Sequence, residues 1–238
     1  MLKLFFSIFF LIFIQANFII SLAADTGFIE NKGQIKNQDN EIASEVLYIF
    51  NSKNLKITLR EQGFSYERFE SSWSDADIRS FVADEYADAK IPFESHRIDF
   101  TFPNRPPEVI AKKKGDYSLN YYNKTEHPVI DVKQYESVIY KNVADGIDVE
   151  FVITSAGGFK YNILVDGSAD LSSFFLSISG ANGVSINKDG SLILDNSIKQ
   201  IKEQIPESFY VSSNASENVD VNYKLEDNKL YFETTKDY

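Results

Sequence analysis

Apolar residues recur at every second position over much of the chain after residue 24, which is the pattern of half-buried β-strands. Val46–Phe50 and Leu55–Arg60 flank the polar run "NSKN" and predict two short strands joined by a turn. His96–Phe102 and Phe159–Val165 show the same alternation, with aromatic and branched residues at the apolar positions. The pattern predicts a series of short, half-buried strands.

Turn-forming residues separate several of these segments and predict further hairpins. Ser155–Gly158 ends in two glycines, which accept positive φ angles, and leads into the strand at Phe159–Val165. Asn187–Gly190 lies between two alternating segments, and "EDN" divides another alternating pair close to the end of the sequence. Because no strand–helix alternation, heptad or repeat is present, we expect an all-β fold, mainly antiparallel and sandwich-like.

One segment departs from this period of two. In Ser74–Ala89 the apolar residues follow helical spacing. Ser74 is a suitable N-cap, and Asp75 and Asp77 are favourable in the first turn of a helix. The sequence therefore predicts one short amphipathic helix near residues 75–89, inserted into the β-rich chain.

Residues 1–23 have the organisation of an export signal. Lys3 precedes an apolar run that extends to about residue 20, and small residues follow it where a signal peptidase requires them. Cleavage is predicted after Ala23, with Ala24 as the second choice. The alternative is an uncleaved anchor helix, which needs roughly 20 apolar residues, but polar residues interrupt this run.

The predicted organisation is a signal helix over residues 1–23 followed by a β-rich domain over residues 25–238. That domain is either a single unit or two β sub-lobes, about 25–130 and 131–238. An exported protein of this kind is expected in the medium, on the outer cell surface or in the periplasm. Its contact with a membrane is limited to the signal segment before cleavage.

Composition and charge restrict the partners of the protein. The 238 residues carry a formal net charge of -11, and 20 Phe and 13 Tyr are present, as expected for half-buried strands. The acidic balance disfavours nucleic acid, which needs a basic face. The absence of cysteine removes disulfides, thiolate catalysis and zinc thiolate sites.

Residues suited to catalysis do not form a known constellation. Gly27 and Gly33 lie outside the GxxxxGK[ST] and GxGxxG patterns, so we attribute them to backbone conformation. His96 and His127 are the two histidines, and we interpret them as a strand residue and a loop residue. No serine lies in GxSxG. The sequence predicts no catalytic residue, no metal site and no cofactor.

Acidic residues offer the next candidate chemistry. Asp145, Asp148 and Glu150 lie near one turn, and a carboxylate-dependent hydrolase would need two such groups at a defined separation. With 35 acidic residues, close pairs also arise by chance. Asn187–Gly190 resembles part of a calcium loop, but apolar residues follow where ligands are required, so we predict a plain turn.

Asn120, Tyr121 and Tyr122 are the candidate binding residues. Adjacent tyrosines in a strand point to opposite faces, so one of them is expected to be exposed and able to stack on a sugar or anchor a protein. Ordinary packing within the sheet is the alternative. Asn123 and Asn214 match the N-glycosylation pattern, which also arises by chance.

Seven segments, taken in order, resemble a known family. They are "FIENKGQ", "HRIDFTF", "GDYSLNYY", "VIYKNVADGIDVEF", "FKYNILVDGSAD", "GANGVSINKDGSLIL" and "IKEQIPESFY". The family is the N-terminal domain of large exported bacterial proteins, common in Bacteroidota, that continue into seven-bladed β-propeller (SBBP) repeats. Some of these proteins also carry PKD-type modules and gliding-motility-associated or type IX sorting domains.

The resemblance implies a secreted or surface-associated β-rich module with no established catalytic residues. Ile35 stands where the family commonly has tryptophan, and 74–89 looks like an insertion. The sequence stops at Tyr238, where relatives enter the repeats, so we expect either a fragment or a stand-alone domain. The expected function is a non-catalytic structural or interaction module whose partner is a cell-surface protein or a glycan. A carbohydrate-binding module is the alternative, and a carboxylate-dependent hydrolase is the third hypothesis.

Overall fold

The protein is described by a computed structural model. The structure describes residues 3–9, 27–37, 39, 41–52, 54–71, 93–122, 128–154, 157–205, 207–211 and 216–234. These residues form eighteen strands and one short 3-10 turn. The strands are β1 (Lys3–Phe9), β2 (Phe28–Glu30), β3 (Val46–Ser52), β4 (Leu55–Arg60), β5 (Gly63–Ser71), β6 (Phe93–Thr101), β7 (Glu108–Tyr121), β8 (Val129–Ala144), β9 (Ile147–Ile153), β10 (Phe159–Asp166), β11 (Phe175–Ser179), β12 (Gly183–Ile186), β13 (Leu192–Asp195), β14 (Ile201–Glu203), β15 (Glu207–Val211), β16 (Ser216–Val219), β17 (Val221–Glu226) and β18 (Lys229–Thr234).

Fifteen of these strands belong to one large antiparallel sheet. Its order is β16-β15-β1-β10-β9-β8-β2-β3-β4-β5-β6-β11-β18-β17, and β7 pairs with β8 outside this path. The other three strands form a small sheet in the order β12-β13-β14. The large sheet curls so that strands distant in its order face each other, which lets both halves bury their apolar faces in one core.

Strand β8 joins the two halves of the large sheet. Tyr135 in its first half pairs with Phe28 of β2, and Val138 in its second half pairs with Phe151 of β9. Strand β7 pairs with both of these β8 residues as well, so it lies along the opposite edge. Strands β2 and β9 therefore lie one after the other along the same edge of β8. The two halves of the large sheet separate between them.

An aromatic cluster fills the space between the two halves. Phe64 of β5 stacks on Phe100 of β6, with ring centroids 4.5 Å apart and planes 5° apart. The same ring contacts Phe151 of β9 at 5.0 Å and Tyr161 of β10 at 5.4 Å. All four side chains are buried. Strands β5–β6 thus pack across the core against β9–β10, which explains the many aromatic residues in the sequence.

The predicted hairpins are confirmed at several places. Strands β3 and β4 pair from Val46 with Arg60 to Ser52 with Leu55, and β12 and β13 pair across Asn187–Gly190. Strands β17 and β18 form the last hairpin, with a turn at Asp227 and Asn228. The all-β class and the mainly antiparallel pairing are therefore confirmed. The division into sub-lobes at about residue 130 stays a prediction.

The helical parts of the predicted fold class are wrong. No α-helix occurs in the residues that the structure describes, and the helix predicted near 75–89 falls in 72–92, which lie outside them. Lys3–Phe9, predicted as the start of a signal helix, is a strand between β10 and β15. Its phenylalanine and isoleucine residues favour strands over helices, and two neighbouring strands offer it backbone partners on both edges. Cleavage at Ala23 lies outside the described residues and stays a prediction.

No helix in the described part of the chain is long and apolar enough to cross a membrane.

The loop after β2 is organised by one asparagine side chain. Asn31 donates from Nδ2 to the carbonyl oxygens of Ala43 and Val46, both at 2.9 Å. Its Oδ1 accepts from the backbone N–H of Gly33 at 2.9 Å. Gly33 has a φ of 105°, which residues with a side chain rarely adopt, so the attribution of this glycine to backbone conformation is confirmed. "FIENKGQ" is therefore a strand end followed by a fixed loop.

Replacing Asn31 by alanine is expected to lower the free energy of unfolding by about 2 kcal/mol, because two carbonyls and a turn N–H lose their partner. Urea denaturation at neutral pH measures this change. Asn222→Ala, at an exposed position of β17, is the matched control and should change the free energy by less than about 0.5 kcal/mol. Equal effects of the two substitutions would contradict a role for Asn31 in holding the loop.

Candidate functional site

The distal part of the β7–β8 hairpin forms an arm, which we define as residues 112–122 and 129–133. Beyond Gln134, which pairs with β2, the β8 strand has β7 as its neighbour in the described sheet. Most arm side chains are exposed, although Val132 is buried. The arm is therefore a two-stranded extension of the sheet in which most side chains are exposed.

Three large apolar or aromatic side chains of the arm are exposed. Tyr117 is 84% exposed, Tyr122 is 74% exposed and Ile130 is 57% exposed. Tyr117 lies in β7 and Tyr122 directly follows this strand, so their Cα atoms, five positions apart, lie within about 17 Å of each other. Exposed aromatic side chains on a protruding element are typical of binding surfaces, because each offers a rigid apolar face with a polar tip.

The three predicted binding residues have different roles in this arm. Asn120 accepts a hydrogen bond at Oδ1 from the backbone N–H of Asp131 at 2.9 Å, so its side chain links the two strands where their register shifts. Tyr121 is half-buried and pairs with Val129. Tyr122 extends into solvent just after β7. Asn120 and Tyr122 are both exposed, but the side chain of Asn120 is engaged with Asp131, so Tyr122 is the stronger binding candidate of the three.

The base of the arm is tied to the loop after β2. Glu30 accepts a hydrogen bond at Oε1 from the backbone N–H of Lys133 at 2.7 Å, and Lys32 donates from Nζ to the carbonyl of Asp131 at 2.7 Å. Lys133 also pairs with the Asp131 carboxylate, and this hydrogen bond lowers the pKa of Asp131 below its usual value. These contacts fix the direction of the arm, so its exposed side chains are presented by a supported element.

Sequence reasoning missed Tyr117 and Ile130. Tyr117, Leu119 and Tyr121 alternate with polar residues, which favours one shared half-buried face. Ile130 and Val132 form a similar pair of alternating apolar residues in β8. The sequence therefore gave no signal that Tyr117 and Ile130 would be exposed. Their exposure follows from their position beyond the part of β8 that pairs with β2.

A buried carboxyl group is the second polar site of interest. Glu203 of β14 is 0% exposed and accepts a hydrogen bond at Oε2 from the hydroxyl of Tyr161 at 3.1 Å. The hydroxyl of Tyr66 also interacts with this carboxyl group. Tyr223 donates to the backbone carbonyl of Gln204 at 2.8 Å. Three tyrosines from the large sheet therefore hold the end of β14, and they fasten the small sheet to the core.

Burial raises the pKa of Glu203 to about 7, and the hydrogen bonds from Tyr66 and Tyr161 act in the opposite direction. Desolvation also raises the pKa of both tyrosines well above the usual value, and the nearby carboxylate adds to this effect. A general acid must reach a substrate atom through a hydrogen bond. Because Glu203 is fully covered in this structure, its arrangement suits a structural link between the two sheets.

His96 lies in strand β6, as predicted, and joins two loops. Its Nε2 lies 2.7 Å from the carbonyl oxygen of Gly180, and its Nδ1 lies 3.2 Å from the backbone nitrogen of Ser197. A neutral ring that donates from Nε2 and accepts at Nδ1 satisfies both contacts. His96 thus connects β6 to the segment before β12 and to the loop between β13 and β14.

The acidic residues near the β8–β9 turn are also engaged in local structure. Asp148 pairs with Lys141 and accepts at Oδ1 from the backbone N–H of Asn142 at 2.9 Å. Glu150 accepts from Nδ2 of Asn162 at 3.2 Å. Asp145 is exposed in the turn itself.

The Asn187–Gly190 segment is a turn, as predicted, with Gly190 at a φ of 79°. Asp189 accepts from the backbone N–H of Ser191 at 3.1 Å and pairs with Lys202 at 2.7 Å. The hydrogen bond from Lys202 is the largest of the contacts that hold the pKa of Asp189 below its usual range. Across the described residues, no group of three or more His, Asp or Glu side chains is placed to hold a metal ion.

Three sequence predictions fall outside the residues that the structure describes. These are His127 as a loop residue, and the glycosylation patterns at Asn123 and Asn214.

Comparison with known protein families gives one match. Residues 28–238 match a family model with the description "Domain of unknown function (DUF7948)". No curated protein and no solved structure matches the chain.

Proposed function

Because the chain belongs to this family of domains of unknown function, we propose its role from its own geometry and sequence. It is an exported, non-catalytic interaction module, secreted or held at the outer cell surface, and it binds its partner through the arm. The partner is a protein or a glycan at the cell surface.

The exposure of Tyr117 and Tyr122 on the arm is the observation that carries this proposal. Exposed aromatic residues are concentrated at binding surfaces, where tyrosine contributes much of the energy at low entropic cost. The arm is also held in place at its base by Glu30 and Lys32. A surface that is fixed before binding loses less conformational entropy when the partner arrives.

The polar groups of the core support the non-catalytic part of the proposal. The carboxyl group with the strongly raised pKa, Glu203, is fully buried and hydrogen-bonded by tyrosine. His96 has both ring nitrogens engaged with the loops beside it. Each of these groups thus has a structural role that explains its presence.

We further propose that this module is the N-terminal domain of a propeller-repeat surface protein of the kind found in Bacteroidota. The seven ordered sequence segments support this assignment. The genomic sequence downstream of Tyr238 tests it directly. An in-frame continuation into propeller repeats is the expected result, and a gene that ends at this codon without them would contradict it.

Carbohydrate binding is the second candidate, and the same two tyrosines favour it. Their rings can stack on the apolar face of a sugar, and this requires solvent-exposed side chains such as those of Tyr117 and Tyr122. A glycan array probed with the exported protein separates this candidate from protein recognition. Binding to a defined glycan that is lost in the Tyr122→Ala variant would favour the carbohydrate.

The double substitution Tyr117→Ala and Tyr122→Ala is expected to weaken binding of the exported protein to cells of its own source by at least about tenfold. Two exposed tyrosines that each contribute about 1 kcal/mol or more account for this loss. A binding isotherm with fluorescently labelled protein on whole cells provides the measurement. Thermal unfolding should stay within a few degrees of the wild type, since both side chains are exposed.

Ile130 and Ile42 supply a matched control for the same experiment. They are 57% and 59% exposed, but Ile130 belongs to the arm and Ile42 to the loop after β2. Ile130→Ala is expected to weaken binding to cells, whereas Ile42→Ala should leave it unchanged. Unaltered binding in both the tyrosine double variant and Ile130→Ala would contradict recognition through the arm.

A further inference from the structure

Strand β1 occupies a slot between two other strands of the large sheet. Seven of its residues pair with β10, from Lys3 with Asp166 to Phe9 with Lys160. Five pair with β15, from Lys3 with Val211 to Ser7 with Glu207. Both pairings are antiparallel. The segment that fills this slot is the same segment that the sequence identifies as part of an export signal.

Removal of residues 1–23 on export would therefore open the sheet. Strand β10 would keep β9 as its partner on one edge and lose its partner on the other. Strands β15 and β16 would lose their only strand pairing to the rest of the described sheet, because β1 provides it. The exported protein would then carry two facing strand edges, one of them in a strand that contributes Tyr161 and Ile163 to the core.

The edge of β10 lacks the protection that this protein gives to its other long edge. Edge strand β7 carries exposed lysines at 112–114 and two register shifts, at Lys114/Ser118 and Leu119/Tyr121. Charged side chains and bulges of this kind prevent unwanted strand pairing. Strand β10 pairs with β1 and β9 in unbroken register over its length. A regular edge without such protection is suited to a partner strand.

The register defines the strand that fits this slot. Positions 4, 6 and 8 of β1 pair with Val165, Ile163 and Tyr161, whose side chains are buried in the core. Positions between them pair with residues on the other face, among them Asn162 and Leu164. An incoming strand must therefore run antiparallel to β10 and carry apolar residues at three alternating positions.

We propose that the slot between β10 and β15 is a strand-acceptor site in the exported protein. Its occupant is an extended, alternately apolar segment of another polypeptide. This inference rests on the proposed export and cleavage of residues 1–23. Each described strand already has its own place in a sheet, which favours a segment from another molecule as the occupant. Pairing of this kind combines backbone hydrogen bonds with pockets for alternate side chains.

The exported protein, isolated from the cells that make it, is the material for the test. Mass spectrometry first determines its N-terminus. Hydrogen–deuterium exchange then measures protection of the amides in β10 and β15, with and without a synthetic peptide of sequence "KLFFSIF" extended by lysines for solubility. Fluorescence anisotropy of the labelled peptide gives its affinity. A control peptide carries serine at the positions equivalent to Leu4, Phe6 and Ile8, and a second carries serine at those equivalent to Phe5 and Phe9.

We expect the N-terminus of the exported protein to be Ala24 or Asp25. Without the peptide, amide exchange should be fast in β15 and along the outer edge of β10. Binding of the peptide should slow this exchange by at least tenfold. The first control peptide should bind at least tenfold more weakly than the parent, because it places polar residues against the core. The second should lose less affinity than the first.

Two results would overturn the proposal, and they differ in what else they affect. An exported protein that retains Met1 and shows slow exchange in β10 makes β1 a permanent strand, which also contradicts the proposed cleavage. A cleaved protein that binds none of the peptides overturns the acceptor site alone. In that case the proposed role of the arm stands, since it depends on Tyr117 and Tyr122 and not on the slot.

Discussion

Phe64→Ala is expected to lower the free energy of unfolding by about 4 kcal/mol, because it removes a fully buried aromatic ring and leaves a cavity. Phe64 is 1% exposed and contacts rings from both halves of the curled sheet, with Phe100 at 4.5 Å and Phe151 at 5.0 Å. The loss should appear as a shift of the midpoint in urea denaturation with an unchanged slope. An unchanged slope indicates that the folded and unfolded states expose the same surface as before.

Two further substitutions show whether the position of the ring is decisive. Phe64→Leu keeps an apolar side chain in the same place and should cost clearly less than the alanine substitution. Phe175→Ala removes a ring that is only half-buried and contacts Tyr231, so about 1 to 2 kcal/mol is expected. If Phe64→Ala cost no more than Phe175→Ala, the two halves of the sheet would not pack through this cluster.

Raising the pH from 5 to 8 is expected to reduce the free energy of unfolding by about 2 to 3 kcal/mol through Glu203 alone. Burial raises the pKa of Glu203 to about 7 in the folded protein, against 4.5 for an unperturbed glutamate side chain. Between these two values the folded state holds a proton that the unfolded state releases, so stability falls as the pH rises. The contribution is fully present below about pH 4.5 and is lost as the pH passes through 7.

Glu203→Gln provides the matched comparison, because glutamine has a similar shape and does not titrate. Urea denaturation of both proteins at intervals from pH 5 to pH 8 measures the effect, and the variant should show a nearly level profile in this window. Asp131 and Asp189 have lowered pKa values, so they titrate below it. A wild-type profile that is level, like that of the variant, or one that rises with pH, would contradict a buried, protonated Glu203.

The fold was predictable to the extent that local patterns determine it. The period of two and the turn residues located hairpins such as β3–β4 and β12–β13, since each depends on contacts close in sequence. The curl of the sheet was not predictable, because it depends on rings far apart in the chain, such as Phe64 and Phe151. Nothing in the alternation specifies which strands face each other across a core.

The N-terminal strand shows a different limit. Lys3–Phe9 has the composition of an export signal and also the β-favouring residues of a strand, so one segment satisfies two patterns. The choice between them depends on β10 and β15, which lie more than 150 residues further along the chain. Composition alone contains no information about those neighbours.

The candidate site was predictable in part. Adjacent tyrosines at 121 and 122 indicated an exposed side chain in this hairpin, because one of two successive strand residues faces outward. The strand assignment did not show that the side chain of Asn120 would accept a hydrogen bond from the backbone N–H of Asp131, since that contact follows from a register shift. The sequence around Glu203 did not indicate that this carboxyl group would be buried, because its burial depends on tyrosines from three distant strands.

Photo-crosslinking on intact cells shows whether the protein recognises its partner through the arm. A photoreactive phenylalanine analogue replaces Tyr117 in one exported variant and Ile42 in another, so that probes of equal chemistry occupy two exposed positions. After irradiation, we expect a discrete covalent adduct from position 117 that unlabelled wild-type protein suppresses, and none from position 42. Adducts of equal yield from both positions, or from position 42 alone, would contradict it.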